Sequence, residues 1–147
     1  MSKTISLHHI VFATKHRHKT IPSSQKQRLF SYIHSIINRR KCYLKQINGI
    51  SDHVHLLIDL HPKVALADLV MEMKHWSSRM MRESPDFPDF EGWCEGYYAV
   101  SLGVDSVDSC RRYIINQEAH HGEDEFLHEM ERMARRNGLR WYPDDWE

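Results

Sequence analysis

Residues 53–60, HVHLLIDL, constrain the fold more than any other stretch of this chain. Leucine, isoleucine and valine fill the segment, a turn over Gly49–Asp52 precedes it and Pro62 ends it, which predicts a strand with a leucine- and isoleucine-lined core face. Apolar patterns of alternating period surround it. Residues 5–13 (ISLHHIVFA) and 42–48 (CYLKQIN) read as strands before it, and 97–102 (YYAVSL) as a strand after it. Between the first two strands, Leu29, Ile33, Ile36 and Ile37 recur at helical spacing, so a helix capped by Ser23 or Ser24 runs to about Arg40. Leu66, Leu69, Val70, Met73 and Met80 mark a second helix over 65–82. The order β-α-β-β-α-β predicts an α+β, ferredoxin-like (split βαβ) fold, an antiparallel sheet with two helices on one face.

The proline-, glycine- and acid-rich segment 83–96 reads as a loop. Two C-terminal helices follow the last strand. One starts near Asp105-Ser-Val-Asp108, where acids favour the helix dipole, and runs to about His120. The other spans 123–136, with Phe126, Leu127, Met130 and Met133 along one side and Asn137-Gly138 as its stop. With no repeat, linker or low-complexity stretch, residues 1–147 are expected to form a single domain.

Charge divides the chain more sharply than its zero net value suggests: residues 1–82 hold 14 Lys+Arg against 4 Asp+Glu, and residues 83–147 hold 6 against 16. Either the first half offers a cationic face to a polyanion, or the halves neutralise one another across the fold. No apolar run approaches the roughly 20 residues that span a bilayer, so no membrane association is expected. The N-terminus lacks the layout of a secretory signal, and Cys42, Cys94 and Cys110 form no CxxC pair, which favours a cytoplasmic location.

Two patterns carry chemistry. Side chains at i and i+2 of a strand share a face, so His53 and His55 project together, as half of a divalent-metal site or as polar residues on a solvent face. A second triplet, His16 and His18, sits in a basic loop without a rigid frame. Side chains at i and i+4 of a helix also share a face, which pairs Tyr113 with Gln117 beside the stripe of Val107, Cys110 and Ile114. That pair either lines a site or decorates an amphipathic surface. Together, two imidazoles and an amide oxygen supply three neutral donors and leave positions open for a phosphate oxygen, a set suited to Mg²⁺ or Mn²⁺.

In HHIVFATKHR, ISDHVHLLIDL, KHWSSRM, GWCEGYYAVSLG and RRYIINQEAHH, which lie in this order over residues 6 to 142, the chain resembles the HUH single-tyrosine transposases of the smallest bacterial insertion sequences, the insertion-sequence-two-hundred type. The resemblance implies His53, His55 and Gln117 as metal ligands and Tyr113 as nucleophile. It also implies cleavage and rejoining of single-stranded DNA at hairpin-marked element ends, through a 5′-phosphotyrosine. A homodimer in which the tyrosine helix can serve the partner's histidine pair belongs to the same expectation. His120 and His121 fit the family pattern without an assigned role, and Cys110 stands where an aliphatic residue is more usual.

Phosphate contacts are expected from Lys15, Arg17 and Lys19 after the first strand, from Arg39, Arg40 and Lys41 after the first helix, and from Lys74, Arg79 and Arg82 on the second, with Trp76 stacking on an unpaired base. Two other readings compete: a ferredoxin-like nucleic-acid-binding module or domesticated transposase that no longer cuts, and a metal-dependent hydrolase in which Tyr113 is dispensable.

Overall fold

The computed structural model describes residues 1–117, 125–142 and 144. Strands β1 (Leu7–Ala13), β2 (Tyr43–Ile50), β3 (His53–Asp59) and β4 (Tyr98–Leu102) alternate with helices α1 (Lys26–Arg39) and α2 (Leu66–Glu83), and α3 (Val107–Ile115) and α4 (Glu125–Arg136) follow. The sheet order is β2-β3-β1-β4 with every neighbouring pair antiparallel, which is the predicted ferredoxin-like arrangement.

Register decides what each face carries. Directly paired residues of an antiparallel sheet point to the same side. Ile10 opposes Leu56 and Phe12 opposes Val54, and these side chains meet Leu29, Ile33 and Ile37 of α1 and Leu69, Val70 and Met73 of α2 in the main core. Val11 opposes His55 and Ala13 opposes His53, so the other face carries the histidines. Phe126 and Met130 of α4 cover that face over Val11, Ala13 and Tyr98. Both central strands are therefore buried on two sides. Phe87 and Phe90, from the segment read as a loop, belong to the main core.

Details within the elements differ from the sequence reading. A short 3-10 turn over Ser23–Gln25 leads into α1, and neither serine caps the helix with its side chain. On α2, Met81 is buried along with Met73, while Leu66 and Met80 are only partly covered. A 3-10 turn over Val104–Ser106 precedes α3, and α3 ends at Ile115, well before His120. His120 and His121 lie outside the described residues.

The turn before β3 is tighter than Gly49–Asp52, because β2 continues to Ile50. Gly49 is required there by close approach: a Cβ would sit 2.3 Å from the carbonyl oxygen of His53. Gly138, at φ +75°, supplies the left-handed residue that ends α4, as Asn137-Gly138 predicted.

Candidate active site

The tyrosine reaches the histidines because α3 crosses the sheet. Helix α3 leaves β4 at one edge and packs on β2 at the other; nine helical residues span about 13.5 Å, and three strand spacings about 14 Å. Asn48 of β2 fixes the far end, its Nδ2 donating to the carbonyls of Ile114 and Ile115 at 3.0 Å each. Those carbonyls belong to the last turn of the helix, and the amide caps them. Asn48→Ala is expected to cost about 1 kcal/mol. Thermal unfolding checks the cost.

His53, His55 and Gln117 are each 0% exposed, and His9 and Glu129 are buried beside them. Tyr113 meets His9 and His55 edge-on, with ring centroids 6.0 and 5.6 Å away. The Tyr113 hydroxyl is buried and has no hydrogen-bond partner among the described residues. Gln117 follows the last turn of α3. Its Nε2 donates to the Tyr113 carbonyl at 3.3 Å and toward Glu129 Oε1 at 3.5 Å. Both partners are acceptors, which fixes the amide with Oε1 toward His53 Nε2, 3.3 Å away.

That contact carries the electrostatic signature of the site. Asp52 Oδ1 accepts from His53 Nδ1 at 2.7 Å, so the proton of a neutral His53 sits on Nδ1 and Nε2 is an acceptor. Two acceptors, His53 Nε2 and Gln117 Oε1, then face each other. A cation between them would satisfy both lone pairs. On the far side, His55 Nε2 stands 3.7 Å from the Glu129 carboxylate, beyond hydrogen-bonding reach. Burial raises the Glu129 carboxyl above its ordinary value, and nearby His53 partly opposes the rise. Among the described residues no three His, Cys, Asp or Glu side chains form a metal-holding group by themselves. The neutral donors gathered here that could take a cation are the His53 and His55 imidazoles and the Gln117 amide oxygen.

A cleft of about 240 Å³ opens on the other side of Tyr113, lined by His9, Ser106, Ser109, Cys110 and Arg136 among others. Burial pushes the Cys110 thiol up to about 11, which keeps it protonated at neutral pH. Burial likewise lowers His9 to about 4, so its imidazole is neutral at neutral pH.

The basic residues divide into two places. Lys15, Lys74, Arg79 and Arg82 line one cleft of about 870 Å³ with His16 and His75. Arg17 and Lys19 follow β1 at the end of the sheet where Ala13 pairs with His53. Arg39, Arg40 and Lys41 precede β2 at the opposite end, where Tyr43 pairs with Asp59, and Arg40 is engaged by Glu72 at 3.3 Å. The Lys74 ammonium donates to the carbonyls of Cys94 and Gly96 at 2.6 and 2.8 Å and so staples a loop to α2. Burial lowers its pKa. Trp76 is 38% exposed with the Arg79 guanidinium over its ring, an available stacking surface.

Three residues of the site carry no role in the motif reading: His9, Asp52 and Glu129. Glu129 had a readable signal, an acid beside Met130 on the apolar side of its helix. Asp52 directly precedes the histidine strand, and a lone histidine within an apolar strand marks His9.

Residues 3–117 match the family described as Transposase IS200 like. The chain belongs to the IS200-like transposase family. It is 27% identical over 107 residues to the transposase for insertion sequence element IS200 of Salmonella typhimurium, covering 68% of this chain and 69% of that protein. Its fold is similar to that of a Deinococcus radiodurans protein described as a candidate transposase (TM-score 0.61, 23% identity, 79% of this chain and 93% of the other). It is also similar to a structure described as a REP-associated tyrosine transposase bound to a REP hairpin, with a TM-score of 0.63, 16% identity, and coverage of 100% of this chain and 90% of that one. As a member of this transposase family the chain is assigned to DNA transposition. Among the described residues no disulfide joins Cys42, Cys94 or Cys110, and no helix is long and apolar enough to cross a membrane.

Proposed function

We propose that this transposase cuts and rejoins single-stranded DNA at hairpin-marked element ends, with Tyr113 as nucleophile and a divalent cation, Mg²⁺ or Mn²⁺, held by His53, His55 and Gln117. The observation that carries the reading is the facing pair of acceptors, His53 Nε2 and Gln117 Oε1, one helical turn from the buried Tyr113 hydroxyl.

In this reading the Tyr113 Oη attacks the scissile phosphorus. A bond forms from Oη to phosphorus as the bond to the upstream 3′-oxygen breaks; the phenol gives up its proton and the leaving oxygen gains one. The downstream strand stays attached as a 5′-phosphotyrosine. Attack by a free 3′-hydroxyl on that linkage reverses the exchange and rejoins DNA, without water or ATP, because each step exchanges one phosphodiester for another. The bound cation would polarise the phosphate and offset its charge. The chain's own contribution is placement: Asn48 holds the helix end, and His9 and His55 hold the phenol edge-on.

Phe126 lies with its ring 4.3 Å from that of His53, and Glu129 stands beside His55. A phosphate oxygen therefore reaches the histidines only as α4 moves off, and it would take the place of the Glu129 carboxylate. One chain carries both halves of the site, which supports Tyr113 acting on the histidine pair of its own subunit, with or without a homodimer. The described hairpin of the structural relative and the cleft of Lys15, Arg79 and Arg82 support a hairpin partner.

Incubation of the chain with a hairpin oligonucleotide carrying an element end tests the reading. Cleavage is expected with Mn²⁺ or Mg²⁺, on the single strand and not on its duplex, and chelation should abolish it. Hairpin binding with no cleavage under any metal would identify a binding module.

A further inference from the structure

We propose that His9 is a positioning residue that sets the tautomer of His55, and so decides whether the histidine pair can hold a cation. The inference rests on the metal reading above and adds to it a residue of β1 outside the ligand set.

His9 pairs across the strands with Leu57, which makes it the diagonal neighbour of His55 on the same face. The rings stack with centroids 5.2 Å apart and planes at 29°. His9 Nε2 and His55 Nδ1 are 2.9 Å apart and share one hydrogen. Its location has opposite consequences. With the hydrogen on His55 Nδ1, His9 Nε2 accepts it and His55 Nε2 is the unprotonated nitrogen, matching the state Asp52 imposes on His53. With the hydrogen on His9 Nε2, a neutral His55 is protonated at Nε2 and unable to bind metal there.

Geometry favours the first arrangement. A protonated Nε2 has the Glu129 carboxylate as an acceptor near at hand, yet the two stand 3.7 Å apart. The two strand histidines would then present the same nitrogen, each set by a different buried partner: a carboxylate for one and an imidazole for the other. His9 also lies edge-on to Tyr113, so one ring braces both a metal donor and the nucleophile. Carried on a central strand covered on both faces, it is held without loop motion.

The test uses the full chain and two readouts besides activity. The imidazole nitrogen-15 spectrum of the metal-free protein is expected to show His55 protonated on Nδ1; a His55 proton on Nε2 would overturn the proposal. Mn²⁺ affinity is then measured by calorimetry. His9→Leu is expected to bind Mn²⁺ roughly 10–100-fold more weakly. His9→Gln, whose amide oxygen can accept the same hydrogen, should stay within about threefold of wild type. Equal affinity in His9→Leu and wild type contradicts the proposal. Should the leucine variant fail to fold, the glutamine variant and the wild-type spectrum still decide it. A wild-type chain without Mn²⁺ affinity would instead overturn the metal reading, and the spectrum alone would then judge His9.

Discussion

Tyr113→Phe is expected to abolish covalent attachment to DNA and to lower strand cleavage by at least about a thousandfold, while the protein stays as stable as wild type or gains slightly. The two halves of this expectation have separate causes. Phenylalanine keeps the ring, and with it the edge contacts to His9 and His55 at 6.0 and 5.6 Å. Only the hydroxyl is lost, and that oxygen is buried without a hydrogen-bond partner among the described residues. A buried unsatisfied hydroxyl costs stability, so its removal offsets the small loss of packing. The Cys110 thiol in the same cleft is not expected to replace it, because burial keeps that thiol protonated. Single-turnover cleavage and thermal unfolding on the same preparation check both halves. Cleavage that survives in the phenylalanine variant would move the chemistry to a metal-activated water.

His53→Ala and His55→Ala should each reduce cleavage below detection and leave hairpin binding within a few-fold of wild type. Each removes one of the three proposed donors. The structure adds a stability cost that strand periodicity alone would not suggest. His53→Ala strips the Asp52 carboxylate of its donor, and His55→Ala leaves the buried His9 nitrogen unpaired. Either loss costs about 1–3 kcal/mol. DNA affinity persists because the basic cleft of Lys15, Arg79 and Arg82 lies elsewhere, and that affinity should fall steeply with salt. Fluorescence anisotropy on a labelled hairpin, beside urea unfolding, checks the pattern. A variant that binds and unfolds like wild type and still cleaves would remove that histidine from the site.

Which parts of this site can be read from sequence follows from the range of the interaction involved. His53 and His55 share a face through the two-residue repeat of a strand, and Tyr113 and Gln117 through the four-residue step of a helix. Both are local, so the residues themselves state them. The order of elements was legible for the same reason. His9 is different: it reaches His55 only through the β1–β3 register, which pairs residues 46 positions apart. Glu129 arrives from α4, and its place depends on which face of the sheet that helix covers. The end of α3 at Ile115 depends on Asn48, whose partners are 66 and 67 residues away. Lys74 looked like a phosphate ligand because a lysine on a helix surface usually faces water. Its hydrogen bonds to two carbonyls of the folded loop 94–96 depend on contacts 20 and 22 residues away.

The most direct test is to identify the atom that DNA becomes attached to. Wild-type protein is incubated with Mn²⁺ and a hairpin oligonucleotide labelled downstream of the cleavage site, then denatured, digested and read by tandem mass spectrometry. The expected product is the peptide containing Tyr113 joined through its phenolic oxygen to the 5′-phosphate of the labelled fragment, with an unmodified 3′-hydroxyl on the upstream piece. Cleaved DNA carrying a free 5′-phosphate with no peptide attached, or an adduct on a different residue, would contradict the account.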